Sequence, residues 1–130
     1  MKILALADLH FDIRLQDNIH WKKTALEKIL RAVSPDIVVI AGDVFESNDT
    51  CNPYSELSKI FSGIKTICVL GNHEFVARSV RQTVERYRHL YKPEMWDVHY
   101  LDIIGHLDVG NVRFVGNFLG YDGSTKDIEN

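Results

Sequence analysis

The sequence predicts an α/β fold, in which parallel strands alternate with helices in the order βαβαβα and a β-hairpin follows at the carboxyl end. Two observations predict it. Short apolar runs alternate with longer segments whose apolar residues recur at helical spacing, and this alternation is typical of a parallel sheet. Residues 37–41 are apolar without a break and four of them are β-branched, which indicates a strand buried on both faces.

The composition is typical of one soluble domain over residues 1–130. Hydrophobic residues make up 45% and charged residues 25% of the chain, and no apolar run is long enough to cross a bilayer, so we expect no membrane association. The net charge of −3 provides no general attraction to nucleic acid. Cys51 and Cys68 lack the paired spacing of a metal site or a disulfide framework, which favours a reducing, cytoplasmic location.

The first half of the chain predicts two strands, each followed by a polar loop and a helix. Residues 3–7 predict a strand that ends at Asp8-Leu9-His10, and residues 19–33 predict an amphipathic helix. Ser34-Pro35 ends this helix, because a proline disfavours helical backbone at the residue before it. The remaining elements of this half are a strand at 37–41, a loop at 42–52 and a helix at 53–64.

The second half adds a third βα unit and then changes character. Residues 66–70 predict a strand and residues 76–91 a helix with one apolar stripe. Beyond Pro93 the apolar runs become short, and the two runs at 103–107 and 112–118 indicate a β-hairpin. The remaining predictions are a short fourth strand at 98–101 and a loose polar tail at 120–130.

Three strand ends carry polar side chains that suit metal chemistry. Asp8, Asp43 and Asn72 each follow an apolar strand immediately or after one glycine, and His10 and His73 accompany them. Because right-handed crossovers make successive strands parallel, we expect these side chains to meet at the carboxyl edge of the sheet. Turn formation explains the aspartates and the asparagine but does not require the histidines. Together they form an oxygen and nitrogen ligand set that suits divalent Mn, Fe, Zn or Co.

Three short motifs at these positions resemble a known family. Asp8-Leu9-His10, Gly42-Asp43-Val44-Phe45-Glu46 and Gly71-Asn72-His73-Glu74 are similar to the Asp-x-His, Gly-Asp-x-x-Asp/Glu and Gly-Asn-His-Asp/Glu motifs of the calcineurin-like metallophosphoesterases. Each motif is weak alone, but three in order at strand ends are specific. The resemblance covers residues 1–75 directly, and the predicted helix and hairpin beyond agree with the layout of the family.

The resemblance implies hydrolysis of a phosphate mono- or diester with two divalent metal ions. By that resemblance Asp8 and His10 bind one metal, Asn72 binds the other, and Asp43 bridges both. The metal pair would activate water and polarise the phosphoryl oxygens. His73 would stand just outside the metals and donate a proton to the leaving group.

The resemblance also implies a carboxylate that orients the His73 imidazole. Glu46, three residues after Asp43, is one candidate for this role. Glu74, directly after His73, is the other, and the sequence leaves the choice between them open.

The later part of the chain departs from the family. The family completes its metal ligands with three further histidines, two of them in a Gly-His-x-His segment, and this sequence has no such segment. The other histidines are interpreted as structural or surface residues: His20, His89, His99 and His106. We therefore expect weak metal binding and an incomplete sandwich with an exposed sheet face, which a missing carboxyl-terminal half or a homo-oligomer would cover.

Two alternatives stand beside the phosphoesterase. A catalytically inert interaction or assembly domain with residual metal affinity would explain the absent histidines. A metal-dependent nuclease is a minor alternative, based on a basic series on and after the third predicted helix that is better interpreted as a solvated face: Arg78, Arg81, Arg86, Arg88 and Lys92. A protein phosphatase is disfavoured, because Ser47-Asn48 stand where that branch has Arg-Gly.

Overall fold

A four-stranded parallel sheet forms the centre of the molecule. The structure is a computed structural model, and it describes residues 1–12, 14–46, 51–76 and 78–118. The strands are β1 (Ile3–Leu6), β2 (Ile37–Ala41), β3 (Lys65–Val69) and β4 (Val98–Tyr100), and they lie in the order β1-β2-β3-β4. All neighbouring strands are parallel. The predicted α/β fold with a parallel sheet is confirmed.

Three helices cover one face of this sheet. They are α1 (Gln16–Val33), α2 (Pro53–Ile60) and α3 (Val80–Leu90). Because side chains alternate along a strand, Val38 and Ile40 of β2 point to this face and are completely buried there. The helices contribute Leu26, Leu57 and Tyr87 to the same cluster. This packing places the carboxyl ends of β1, β2 and β3 side by side.

A β-hairpin and one short helix cover part of the opposite face. The helix α4 (Leu101–Ile104) follows β4 directly, and the hairpin consists of β5 (His106–Val109) and β6 (Val112–Val115). Ile37 and Ile67 point to this side and pack near Phe114 of the hairpin. Ile3 is 45% exposed although its partner in the sheet register, Ile37, is buried. The opposite face is therefore open near β1, as the sequence predicts.

The third helix starts later than the sequence indicates. Residues Asn72–Phe75 form a 3-10 turn directly after β3, and α3 begins at Val80 instead of residue 76. Ser79 sets the new start, because its hydroxyl accepts a hydrogen bond from Gln82 N while Gln82 Oε1 accepts one from Ser79 N. The helical spacing of the apolar residues does not reveal this cap.

Other predicted boundaries also differ: α1 begins at Gln16 rather than residue 19, and the second hairpin strand ends at Val115 rather than residue 118. Helix α2 ends at Ile60 rather than near residue 64, and Ser62 and Gly63 both have positive φ values there. The first strand of the hairpin begins at His106, because Ile103 and Ile104 belong to α4. The predicted tail at 120–130 and the Ser47-Asn48 pair lie outside the described residues.

Among the described residues, no helix has both the length and the apolar character needed to cross a bilayer. Cys68 is buried, Cys51 is half-buried, and neither forms a disulfide.

Candidate metal centre

The loops after β1 and β2 are joined by backbone hydrogen bonds at the carboxyl edge of the sheet. Asp8 N donates to Gly42 O at 3.2 Å, His10 N donates to Asp43 O at 2.9 Å, and Phe11 N donates to Val44 O at 2.8 Å. The pairing continues the parallel alignment of the two strands beyond their ends, as the bridge between Phe11 and Phe45 shows. Two of the predicted site motifs are therefore held in a fixed register.

Glu74 ties the loop after β3 to the loop after β2. Its buried carboxylate accepts hydrogen bonds from Val44 N at 2.7 Å, from Gly71 N at 2.7 Å and from Asp43 N at 3.2 Å. Burial raises the pKa of Glu74 to about 7, although hydrogen bonds from the backbone amides of Gly71, Val44 and Phe45 act in the opposite direction. These backbone amides have no carbonyl partner within the described part of the loops, and the carboxylate supplies the acceptor that water would otherwise provide.

Two glycines let the second and third loops approach each other. A Cβ atom on Gly71 would lie 2.2 Å from Asp43 Oδ1 and 2.4 Å from Asp43 N, which no side chain can tolerate. Gly42 has a φ of +81° and faces Gly71 Cα. The glycine before Asp43 and the glycine before Asn72 are thus required by close backbone contact.

Three of the predicted ligands have a left-handed backbone. The φ values are 54° for Asp8, 47° for His10 and 52° for Asp43, a region that residues with a Cβ atom rarely occupy. The hydrogen bonds between the loops hold them in this conformation. Such strain is typical of functional sites, where the surrounding structure maintains a backbone conformation that is unfavourable for the isolated residue.

The structure brings the predicted ligands together. Among the described residues, Asp8, His10 and Asp43 can place one ligand atom each within 4.8 Å of one another. His10 Nε2 lies 3.9 Å from Asp8 Oδ1. Asp43 is buried, and Asp8 is exposed at the mouth of the site. Two carboxylates and an imidazole thus converge on one point, and all three are chemically suited to a divalent cation.

Asn72 meets the same carboxylate from the third loop. Its amide end lies 3.0 Å from Asp43 Oδ2 and 3.3 Å from Asp43 Oδ1, and His73 N donates to Oδ1 at 2.9 Å. With its nitrogen at this end, the amide donates to the carboxylate. With its oxygen there, two acceptors face each other, and a cation between them would stabilise the pair. Either orientation keeps Asn72 beside Asp43.

Glu46 links the two histidines of the site. Its Oε1 atom lies 2.9 Å from His10 Nδ1 and its Oε2 atom lies 2.8 Å from His73 Nδ1. Because an ionised carboxylate only accepts, each Nδ1 carries the proton, and the Nε2 lone pair of a neutral ring is left for another partner. The two rings pack edge to face with centroids 4.6 Å apart. Glu46 therefore contacts both imidazoles at once.

These hydrogen bonds shift the ionisation of the pair. The hydrogen bond from His73 holds the pKa of Glu46 below its usual range, against the effect of burial. In return, the hydrogen bond to Glu46 raises the pKa of His73. The pair favours an ionised carboxylate next to a protonated imidazole.

The two candidate glutamates have different contacts. Glu46 contacts the His73 ring, whereas the Glu74 carboxylate is directed at backbone amides of the loops. The contact between Glu46 and His10 is a further link that the motif spacing does not predict.

Lys22 of α1 supports the site, and the residue pattern does not predict this role. Its ammonium group donates to Leu9 O at 2.8 Å and to His10 O at 2.7 Å, and so fixes the loop that carries two predicted ligands. The helical pattern indicates only that Lys22 lies away from the apolar stripe, because the reach of a long side chain is not visible in residue spacing.

Among the described residues, the remaining histidines belong to neither group of possible metal ligands. His20, His89 and His106 are exposed. His99 is buried and forms a separate cluster at the amino edge of the sheet: Tyr91 Oη lies 2.7 Å from His99 Nδ1, Asp97 Oδ1 lies 2.7 Å from His99 Nε2, and Lys65 Nζ donates to Asp97 Oδ1 at 2.8 Å. These positions agree with the interpretation of all four as structural or surface residues.

Comparison with known proteins identifies the family. The sequence profile that describes the calcineurin-like phosphoesterase family matches residues 1–130 of this chain. The chain belongs to this family. An uncharacterized metallophosphoesterase of Campylobacter jejuni is 30% identical over 127 residues, which are 94% of this chain and 31% of that relative. The chain thus spans about a third of the length of the curated relative it matches.

Membership in the calcineurin-like phosphoesterases agrees with the geometry of the loops. Proteins of this family typically bind divalent metal ions, and the described residues include groups that can hold one. The parallel sheet and the hairpin correspond to part of the metallophosphoesterase fold.

Proposed function

We propose that this chain carries the metal centre of a phosphoesterase that hydrolyses a phosphate mono- or diester. One observation supports the proposal most strongly. Asp8, His10 and Asp43 converge in strained backbone, and the hydrogen bond from His10 Nδ1 to Glu46 leaves Nε2, 3.9 Å from Asp8 Oδ1, as a ligand atom. A carboxylate that orients a histidine through its other nitrogen is a common support for metal-ligating imidazoles.

The ligand set would hold two divalent cations. Asp8 and His10 would bind one, Asn72 the other, and Asp43, which touches the Asn72 amide and lies between the loops, would contribute to both. The donors are oxygen and imidazole nitrogen without thiolate, which fits Mn, Fe, Zn or Co. When bound, such cations supply positive charge that polarises a phosphoryl oxygen and lowers the pKa of water.

His73 would donate a proton to the leaving group, with Glu46 as its support. The His73 ring is held by Glu46 through Nδ1, so its Nε2–H would donate to the oxygen of the leaving group when the ring is protonated. Glu46 would fix the ring orientation and stabilise the positive charge on it. Glu74 would act at a distance from the chemistry, by holding Asp43 and Gly71 in place through their backbone amides.

The proposal is tested by metal content and turnover in the same preparation. The chain with added Mn²⁺ should bind the metal, by elemental analysis, and hydrolyse bis(4-nitrophenyl) phosphate or 4-nitrophenyl phosphate. Asp43→Asn should abolish both with the circular dichroism spectrum unchanged. Asp108→Asn is the matched control, because Asp108 pairs with Arg113 on the hairpin and should leave both unchanged.

Two outcomes would contradict the proposal. Equal turnover in wild type and Asp43→Asn would show that a contaminating enzyme produces the signal. Bound metal without turnover of either ester would instead favour the inert interaction domain.

A further inference from the structure

Trp21 stands beside the candidate metal centre and is 60% exposed. It lies on α1 and borders a cavity of about 240 Å³ lined by Asp8, Leu9, Trp21, Lys22, Ala25 and Leu26. Asp8 thus belongs both to this cavity and to the convergent ligand cluster. One cavity therefore borders both a residue of the candidate centre and the indole.

Lys22 ties the indole to the ligand loop. Its ammonium nitrogen lies 5.8 Å from the Trp21 ring centroid while it donates to the carbonyl oxygens of Leu9 and His10. The same nitrogen lies 6.0 Å from the ring of the buried Phe11. Because the ammonium group is fixed by two backbone acceptors, its cation–π contact restrains the position of Trp21. The exposed ring is therefore held in place relative to Asp8 and His10.

A second cavity also borders this indole. Its volume is about 590 Å³, and it is lined by Arg14, Leu15, Asp17, Asn18 and Trp21. Leu15 is an exposed apolar residue, and Arg14 is held by two hydrogen bonds from its guanidinium to the Asp12 carboxylate. An exposed aromatic ring that shares a cavity with an apolar side chain and polar groups suits a planar ring with hydrogen-bonding edges.

We propose that Trp21 stacks against the base of a nucleotide whose phosphate lies at the metal centre. The proposal rests on the function proposed above and adds the substrate class, namely phosphate esters that carry a heteroaromatic ring. Stacking on an aromatic side chain is tolerant of base identity, since every base offers a π face. Asn18 and Arg14 offer polar groups for the base edge, and Asp8 marks the phosphate end of the same surface.

The test compares two ligands that differ in the ring alone. Adenosine 5′-monophosphate and ribose 5-phosphate are titrated by calorimetry into the Mn²⁺-loaded chain and its Trp21→Ala, Trp21→Leu and Trp21→Phe variants. Wild type should bind the nucleotide more tightly, and Trp21→Ala and Trp21→Leu should lose about five- to hundredfold of that affinity. The affinity for ribose 5-phosphate should be unchanged, and Trp21→Phe should retain most of the nucleotide affinity.

Other results would overturn the inference and show where it fails. Equal affinity for the two ligands, unaffected by either substitution, would overturn the stacking role and leave the phosphate site intact. A similar loss for both ligands would show that Trp21 supports the ligand loop and does not contact a base. No binding of either ligand to Mn²⁺-loaded wild type would overturn this inference together with the proposed function. Nucleotide quenching of Trp21 fluorescence in a Trp96→Phe chain, which keeps one of the two tryptophans, is expected as a second signal.

Discussion

Two clusters pair histidine with a carboxylate at opposite edges of the same sheet. At the amino edge, both ring nitrogens of His99 have partners, and the residue is 6% exposed. At the carboxyl edge, His10 and His73 share Glu46 through Nδ1, and their side chains are 33% and 35% exposed. A histidine with both nitrogens occupied in the interior stabilises the fold. A half-exposed histidine that is held through one nitrogen keeps the other nitrogen for a ligand.

The two clusters also differ in backbone conformation. His99 lies in the regular strand β4, whereas Asp8, His10 and Asp43 have left-handed backbone. His99 follows the local backbone preference of its residue type, whereas these three residues do not. Violations of this kind concentrate at functional positions, where the rest of the fold supplies the energy to maintain them.

The largest effect is expected when the close contact at the carboxyl edge is disturbed. Gly71→Ala would place a methyl group 2.2 Å from Asp43 Oδ1 and 2.4 Å from Asp43 N. The loops must move apart, so we expect a loss of about 3 kcal/mol of unfolding free energy, measured in urea, and loss of Mn²⁺ binding. Gly63→Ala is the control, because no atom lies within 4 Å of its added Cβ and its positive φ should cost roughly 1 kcal/mol. Unchanged metal affinity in Gly71→Ala would contradict the predicted role of Asp43.

Neutralising one carboxylate in each cluster should affect Mn²⁺ affinity at the carboxyl edge only. Glu46→Gln should lower Mn²⁺ affinity by about 10- to 100-fold, because His10 loses the acceptor that fixes its ring and its tautomer. Asp97→Asn should leave Mn²⁺ affinity unchanged, since Asp97 contacts His99 and Lys65 at the other edge. Calorimetric titration of both variants with Mn²⁺ measures these affinities. An equal loss of affinity in the two variants would contradict the distinction between the clusters.

Removing one hydroxyl should destabilise the amino-edge cluster. Asp97 accepts from His99 Nε2, so Nδ1 is the acceptor and the Tyr91 hydroxyl donates to it. Tyr91→Phe leaves that buried nitrogen without this donor, which should cost about 1 kcal/mol of unfolding free energy. Chemical denaturation measures it. A metal affinity that falls along with stability would show that the two edges are coupled.

The smallest expected effect is a pH dependence at Asp97. Burial raises the pKa of Asp97, but hydrogen bonds from Lys65 and His99 outweigh it, and the folded pKa lies below the usual value. Its stabilisation is therefore present above the unfolded pKa of about 3.9 and is lost as pH falls through the lower folded pKa. The side chain is 44% exposed, so the contribution should stay under about 1 kcal/mol. The difference in unfolding free energy between wild type and Asp97→Asn should shrink between pH 6 and pH 3, and a constant difference would contradict this explanation.

Much of the fold, and the position of the candidate ligands at one edge of the sheet, could be predicted from residue patterns. The run Ile37–Ala41 is a strand with the predicted bounds, because continuous β-branched residues suit only a position covered on both faces. The start of α3 could not be predicted in the same way. It depends on the side-chain cap of Ser79 and on the 3-10 turn at Asn72–Phe75, which interrupts the apolar stripe.

The sequence by itself determined that Asp8, Asp43 and Asn72 lie at one edge of a parallel sheet, because strand ends follow directly from apolar periodicity and from the handedness of the crossovers. Only the tertiary structure decided that Glu46 holds both histidines while Glu74 holds the loops, since both glutamates follow the same kind of motif. It also decided that Lys22 and Trp21 border the centre. Residue spacing fixes which element a side chain belongs to, but its partner depends on which loops meet in space.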